Sequence, residues 1–274
     1  MANNYVYSKR NGDIPETMNL VIDKLAQIAL EDAQRPRKST GFPAIDKLTT
    51  GLVDEDLVVI ASRPAMGKTA LALDIASHLA KEASKTTVLF SLEMSKTQII
   101  RRLQRISGNE LKKEGNLVIC DDPWMTVKKI HDICESVKDL GAIIIDYFNL
   151  LDYPAYHANN KDRFSRAYNS KSRDLKLLAR ELSVPVICTA QLGRQVDCRE
   201  DKRPVFSDLN NYGVLQQDAD QILLLYRDHY YNPETPLGDI AECIVAKNRH
   251  GDCGTVRLLW DPEKATFSDE EVVE

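Results

Sequence analysis

The sequence lacks the usual features of membrane and secreted proteins. It contains no apolar run of transmembrane length, and its first residues, MANNYVYSKRNGD, contain no apolar core of a secretory signal. None of its six cysteines has C-x-x-C spacing, and its five histidines are scattered, so we propose no metal cage. We therefore expect a cytoplasmic protein with reduced thiols and no membrane partner.

A chain-wide excess of basic residues is also missing. The 274 residues include 36 Lys+Arg and 41 Asp+Glu, a formal net charge of −5, which is not the basic signature of a nucleic-acid-binding domain. The charge is uneven, however, because residues 155–180 contain seven basic and only two acidic side chains. This basic segment fits either a solvated helix face or a surface that meets a polyanion.

One glycine is missing from a phosphate-loop pattern at residues 61–73, ASRPAMGKTALAL. The pattern is G-x-x-x-x-G-K-[ST], and Ser62 stands at its first glycine position. The apolar run before it predicts a buried strand, and the spacing after it predicts a helix, so backbone N–H groups at the helix start can bind a phosphate. The alternative is a chance GKT on an ordinary loop. The candidate nucleotide-binding residues are Ser62, Arg63, Pro64, Ala65, Met66, Gly67, Lys68, Thr69 and Ala70.

Strands and helices alternate along most of the remaining chain. Predicted strands cover 57–62, 86–92, 117–120, 142–146, 185–190 and 221–226, and predicted helices cover 69–82, 95–107, 126–139 and 165–183. This order predicts an α/β fold with a mainly parallel central sheet flanked by helices. Residues 240–247 and 254–260 predict a C-terminal β-hairpin.

A separate amphipathic helix is predicted at the start of the chain. Apolar residues recur at helical spacing over 15–32, and the polar linker QRPRKST follows. One helix cannot bury its own apolar face, so we expect it to dock on its own domain or on a neighbour. We place the domain boundary between an N-terminal arm with this helix, 1–37, and a larger domain, 38–274.

Three polar residues end predicted strands and are candidates for the chemistry. Asp146 ends AIIID, where a second Mg²⁺-binding acid is expected in a nucleotide-cleaving phosphate-loop protein. Glu93 follows a strand that we expect to lie beside the phosphate-loop strand, where it could orient water. Gln191 ends VICTAQ and could sense the γ-phosphate and move the loop 192–214. Each could instead be an ordinary strand-end or capping residue.

Several long motifs occur in one order: TGFPAIDKLTTGL, SRPAMGKTALALDIA, FSLEMS, IIIDYFNLL, SRDLKLLARELSVPVICTAQL, DKRPVFSDL, QQDADQILLLYRD and AKNRHG. Together they resemble the DnaB-type replicative helicases, whose motor domain is RecA-like. The resemblance covers about residues 15–265, and this family usually has a non-glycine residue where Ser62 stands.

The resemblance implies a 5′-3′ ATP-dependent DNA helicase with ATP and Mg²⁺ as cofactors. Its partners would be single-stranded DNA, further copies of itself in a hexameric ring, and a helicase loader or primase. The implied roles are Lys68 and Thr69 at the triphosphate and Mg²⁺, Glu93 as base, Asp146 as Walker-B acid, Gln191 as sensor, and Lys247 with Arg249 as a basic pair reaching the next subunit's site. The position of Arg249 at a hairpin turn suits an arginine finger, although an exposed turn arginine is the alternative.

The sequence departs from this family in two places. The family has a helical N-terminal domain ahead of the linker helix, and this sequence starts almost at that helix. Primase binding through such a domain is therefore not implied by this sequence. After SDL, Asn210 and Asn211 stand where the family usually has an arginine and an acidic residue, and they offer hydrogen bonds without charge. The candidate DNA-binding residues are Arg163, Arg166, Lys171, Arg194, Asn210, Asn211 and Gly213.

Two other functions remain open at this point. A RecA- or RadA-like recombination ATPase would share the fold and phosphate loop, although SLEMS and QQDAD favour the helicase. A nucleotide-binding scaffold, or an inhibitor of a host helicase, would fit the altered DNA loop. The full set of Lys68, Glu93, Asp146 and Arg249 is not needed in such a scaffold.

Overall fold

The computed structural model describes residues 24, 25, 27, 37–82, 85–107, 116–152, 161–212 and 215–270. The chain divides into two compact units, Met1–Arg37 and Lys38–Glu274. In the first unit the described residues Lys24, Leu25 and Gln27 are helical, and the rest of the predicted helix 15–32 lies outside the described residues.

One nine-stranded sheet forms the centre of the second unit. Its strands are β1 Leu57–Ser62, β2 Thr86–Ser91, β3 Leu117–Cys120, β4 Leu140–Asp146, β5 Val186–Gln191, β6 Gln221–Arg227, β7 Ile240–Asn248, β8 Gly254–Asp261 and β9 Thr266–Asp269. The spatial order is β3-β2-β4-β5-β1-β6-β7-β8-β9. Strands β1 to β6 are parallel to one another, and β7, β8 and β9 extend the sheet as antiparallel strands.

Helices precede or follow most of the strands along the described chain. They are α1 Pro43–Thr49, α2 Lys68–Glu82, α3 Lys96–Ser107, α4 Val127–Glu135, α5 Lys161–Leu182, α6 Leu215–Asp218 and α7 Asp228–Tyr231, with 3₁₀ turns at Phe148–Leu150, Arg194–Cys198 and Phe206–Tyr212. A capping box begins α3, because Ser95 N–H donates to Gln98 Oε1 and Gln98 N–H donates to Ser95 Oγ. Within the described part of the chain, no helix is long and apolar enough to cross a membrane.

Apolar side chains from the parallel strands fill two cores, one on each face of the sheet. Along β1, Leu57, Val59 and Ala61 enter one core, whereas Val58 and Ile60 enter the other. This division follows from the period of two in a strand, and it explains why β1 is apolar at almost every position. The buried sheet therefore holds the strand ends in fixed positions for the site residues.

Most predicted strands and helices are confirmed within one or two residues, but two expectations were wrong and one strand was missed. The strand before Glu93 does not lie beside β1, because β4 and β5 stand between β2 and β1. The helix expected over 126–139 ends at Glu135, and the chain turns before Asp139, whose φ is 54°. The C-terminal hairpin is confirmed as β7 and β8, but β9 adds a strand that its four residues, TFSD, are too short to signal.

Asp74 on α2 binds the C-terminal strand β9. Thr266 Oγ1 donates to Asp74 Oδ1 at 2.6 Å, and Phe267 N–H donates to Asp74 Oδ2 at 2.9 Å. Burial outweighs these two hydrogen bonds and raises the pKa of Asp74 from 3.8 to about 6. An acid whose pKa is raised on folding contributes stability below its unfolded pKa, and this contribution is lost as the pH rises through about 6.

Asp74→Asn is therefore expected to stabilise the protein at neutral pH. The amide can still accept from Phe267 N–H and can donate to Thr266 Oγ1, but it removes the buried charge. The pKa shift sets an upper limit of about 3 kcal/mol at pH 7.5, and the gain should shrink toward pH 4. Urea unfolding of both proteins at several pH values tests this; equal stability differences at pH 4.5 and 7.5 would contradict it.

Candidate active site

The phosphate loop lies between the end of β1 and the start of α2. Gly67 has a φ of 101°, and an added Cβ there would lie 2.6 Å from Phe267 Cζ and 3.3 Å from Trp260 Cζ3. Both the positive φ and the close aromatic rings require glycine at this position. Met66 and Ala70 are buried in the core, so only their backbone atoms can face a ligand, whereas Pro64 and Ala65 are exposed.

Lys68 and Glu93 meet above this loop. Lys68 Nζ lies 3.5 Å from Glu93 Oε2 and 4.6 Å from the centre of the Tyr147 ring. The Lys68 side chain is mostly buried, while half of the Glu93 side chain is exposed. Glu93 thus reaches the phosphate-loop lysine although two strands separate β2 from β1, because Glu93 lies beyond the strand end, on the edge that the loop also occupies.

Two hydroxyl groups hold the buried carboxylate of Asp146. Thr69 Oγ1 donates to Asp146 Oδ2 at 2.9 Å, and Thr189 Oγ1 donates to Asp146 Oδ1 at 2.5 Å. The predicted pair of Thr69 and Asp146 is therefore in direct contact at the end of β4. Carboxylate and hydroxyl oxygens are hard ligands of the kind that Mg²⁺ prefers, so these residues fit the predicted metal.

Gln191 lies at the same edge of the sheet. It ends β5, where its Cα pairs with that of Ser62, and Leu192 N–H donates to Ser62 O at 2.8 Å. The loop that follows Gln191 therefore starts directly beside the phosphate loop. Sequence reasoning missed Tyr147 and Thr189 in this site; a lone hydroxyl within the apolar run of β5 was the available signal for Thr189.

Arg63, the first residue of the phosphate loop, binds residues of the loop that follows Gln191. Its guanidinium donates to the Asp197 carboxylate and to Leu192 O, which is 2.7 Å from Nη1. The hydrogen bonds from Arg63 hold the pKa of Asp197 below its ordinary value. In this structure Arg63 therefore binds the loop after Gln191.

Lys247 and Arg249 lie at the end of the strands opposite to the phosphate loop. Asn248, between them, pairs with Gln221 at the beginning of β6, level with the start of β1. The phosphate loop follows the end of β1, about 17 Å away at roughly 3.3 Å per residue. The basic pair is thus too far along the strands to complete the phosphate site of its own chain.

Both basic side chains bind backbone oxygens of the short helix α6. Lys247 Nζ donates to Gln216 O and Gln217 O at 3.0 Å, and Arg249 Nη2 donates to Gln217 O at 3.2 Å. Arg249 Nη1 also lies 3.4 Å from Asp220 Oδ1, while half of its side chain stays exposed. Burial, and then the neighbouring Arg249 charge, lower the pKa of Lys247.

A buried group of charges supports the Arg249 loop. Lys176 Nζ lies 2.6 Å from Asp220 Oδ2 and 3.5 Å from Asp56 Oδ1, and His250 Nε2 lies 2.6 Å from Asp56 Oδ2. Burial, followed by the negative charge of Asp220, raises the pKa of Asp56. These contacts hold His250, the residue after the exposed Arg249, and Asp220, which Arg249 contacts.

Apart from Lys171, the predicted DNA-binding residues divide into two groups. Arg194 is exposed and makes no hydrogen bond or ion pair through its side chain to a described residue. The side chains of Arg163, Arg166, Asn210 and Asn211, and all of Gly213, lie outside the described residues.

For Lys171 the expectation of a surface residue was wrong. The side chain is fully buried and its Nζ donates to Leu151 O. Burial lowers the pKa of Lys171 to about 8.

The model of the DnaB-like helicase C-terminal domain family matches residues 38–113 and 104–269 of this chain. The chain belongs to this family. It is 38% identical over 254 residues to the replicative DNA helicase DnaC of Bacillus subtilis (strain 168), an alignment that covers 83% of this chain and 55% of that protein. It thus spans little more than half the length of this curated relative.

Two solved structures share the fold closely. One is an ATPase domain that has a TM-score of 0.78 and 33% identity, and the match covers 94% of this chain and 100% of that one. A DnaB-like replicative helicase, described with its interactions with primase, has a TM-score of 0.78 and 34% identity, over 96% of this chain and 68% of that one. The predicted RecA-like ATPase fold is thereby confirmed.

Proposed function

We propose that this chain is the ATP-hydrolysing motor of a replicative DNA helicase, which moves along single-stranded DNA and unwinds duplex. The observation that carries the proposal is the meeting of Lys68, Glu93 and the Thr69–Asp146 pair around one phosphate loop. These are a cation for the phosphates, a carboxylate for water and a hard-ligand pair for a metal. Family membership favours this function over a recombination ATPase.

The chemistry assigns a separate task to each side chain. The backbone of the phosphate loop and the Lys68 ammonium bind the triphosphate of ATP. Thr69 and Asp146 hold Mg²⁺, which neutralises phosphate charge when bound. Glu93 orients the attacking water and accepts its proton, and Gln191 reports the state of the γ-phosphate to the loop 192–212.

The complete ATP site forms between two copies of the chain. Arg249 and Lys247 lie at the end of the strands opposite to the phosphate loop, which supports a role in the site of a neighbouring subunit. A closed ring, with six copies as the family resemblance implies, gives each phosphate loop such a neighbour. The predicted linker helix 15–32 would dock on the adjacent subunit of that ring.

Single-stranded DNA would bind through its phosphates, without regard to base sequence. The exposed Arg194 and the segment with Asn210 and Asn211 belong to the loop after Gln191, which begins beside the phosphate loop. The primase named with one structural relative, or a helicase loader, is a further candidate partner.

Asn210→Arg is expected to tighten single-strand binding and to steepen its salt dependence, because it adds a charge that can meet a phosphate. Arg194→Ala should have the opposite effect, with the slope of log K against log salt falling by about 0.7 for one lost contact. Lys171→Met should leave the slope unchanged, because that ammonium is buried. Fluorescence anisotropy with an oligothymidine at several salt concentrations tests the three variants; unchanged slopes for Asn210→Arg and Arg194→Ala would place the loop away from DNA.

ATP hydrolysis measured with and without single-stranded DNA, together with the mass of the assembly by light scattering, tests the proposed function. A multimer whose hydrolysis rises with DNA, and which unwinds a forked duplex, is the expected result. Strand exchange without unwinding would favour a recombination ATPase. Nucleotide binding without hydrolysis would favour a scaffold or an inhibitor of another helicase.

A further inference from the structure

A bidentate ion pair links the phosphate loop to the loop after Gln191. Arg63 Nε lies 3.1 Å from Asp197 Oδ1 and 3.0 Å from Oδ2, and Arg63 Nη2 also donates to Oδ2. The third guanidinium nitrogen, Nη1, donates to Leu192 O at 2.7 Å. The first residue after β1 therefore contacts both the beginning and the first 3₁₀ turn of that loop.

Other contacts orient Asp197 within its 3₁₀ turn. Tyr231 Oη donates to Asp197 Oδ1 at 2.9 Å, and Lys202 Nζ donates to Asp197 O at 3.3 Å. Val196, beside Asp197 in the 3₁₀ turn Arg194–Cys198, is buried in the core. Because Asp197 lies in this turn, a movement of the turn moves the Asp197 carboxylate and can pull on the Arg63 guanidinium bound to it.

The planar geometry of the pair suits the transmission of a movement. A guanidinium that makes parallel hydrogen bonds to one carboxylate fixes direction as well as distance, which a lysine cannot do. Asp197 is about one third exposed, so solvent screening limits what the pair adds to folding stability. Its main consequence is that the two loops are coupled in position.

The other bidentate pairs of this loop lead elsewhere. Arg199 binds Asp208 within the loop itself, and Arg203 binds Glu242 on β7. Neither of these pairs includes a residue of the phosphate loop. The Arg203–Glu242 pair therefore offers a matched control, since it holds the same loop with the same chemistry from a different side.

We infer that Asp197 is a positioning residue that, through Arg63, couples DNA binding at the loop 192–212 to hydrolysis at the phosphate loop. The inference rests on the proposed function. When DNA phosphates engage this loop, for example at Arg194, the 3₁₀ turn shifts and Asp197 carries Arg63 and the start of the phosphate loop with it. DNA then accelerates hydrolysis by moving residues that touch the nucleotide, although Asp197 itself touches neither ligand.

Asp197→Asn tests the inference, because the amide has the same shape but removes the charge that pairs with Arg63. We expect the ratio of DNA-stimulated to basal kcat to fall by about fivefold or more. Basal kcat and the Kd for an oligothymidine should both stay close to the parent values. Asp197→Glu should restore much of the ratio, Tyr231→Phe should lower it moderately, and Glu242→Gln should leave it unchanged.

Three results would overturn the inference. The first is an unchanged stimulation ratio in Asp197→Asn. The second is an equal fall in the basal and stimulated rates, which indicates a structural role. The third is an equal loss in Glu242→Gln, which indicates that any weakening of the loop suffices. A parent protein that DNA does not stimulate would contradict the proposed function itself, and this result is distinguishable because it needs no variant.

Discussion

Glu93→Gln is expected to slow ATP hydrolysis by about 10²–10⁴-fold while leaving ATP binding largely intact. The amide keeps the shape of the carboxylate but cannot accept a proton from water. Lys68, whose Nζ is 3.5 Å from Glu93 Oε2, stays in place to bind the phosphates. Single-turnover hydrolysis and equilibrium binding of a fluorescent ATP analogue measure the two steps separately.

Two further variants act as controls for that result. Lys68→Ala should lose both binding and hydrolysis, because the triphosphate loses its cationic partner. Glu135→Gln, at the exposed end of α4, should match the parent protein. Hydrolysis at the parent rate in Glu93→Gln would mean that Glu93 is not the base.

Arg249→Ala is expected to lower kcat by about 10³-fold or more, the range typical of a removed arginine finger. ATP binding should remain, because Lys68 and the phosphate loop are untouched. The Arg249 guanidinium is half exposed and contacts Asp220 and Gln217 O in its own chain, so it must leave these contacts to reach a neighbour.

Arg257→Ala is the matched control, because Arg257 is an exposed arginine on β8 of the same hairpin. Its kcat should equal that of the parent. If Arg249→Ala hydrolyses ATP as the parent does, or if it fails to bind ATP, the finger role is wrong.

The apolar pattern predicted which segments form the sheet but not their order. Runs such as LVVIA and AIIID are apolar at nearly every position because both faces of β1 and β4 are buried. That same uniformity removes any sign of which strand lies next to which. The strand before Glu93 was consequently expected beside β1, which is wrong, although Glu93 does lie close to Lys68.

Side-chain direction was the part of the site that the sequence could not supply. Thr69 and Asp146 are 77 positions apart and were predicted as ligands of one Mg²⁺, because Thr69 lies at a phosphate loop that follows one buried strand and Asp146 ends another. Charge alone, in contrast, does not distinguish Lys171, buried against Leu151 O, from an exposed lysine on the same helix. The turn of Arg63 toward Asp197 likewise depends on packing between distant segments.

The shared ATP site is the central claim, and mixed rings of Lys68→Ala and Arg249→Ala subunits test it most directly. Each variant alone should hydrolyse ATP poorly, one for lack of the phosphate clamp and the other for lack of the finger. When co-assembly is shown by mass, some interfaces combine an intact phosphate loop with an intact Arg249, so hydrolysis should exceed the sum of the two separate rates. A co-assembled mixture that is no more active than that sum would contradict a site shared between subunits.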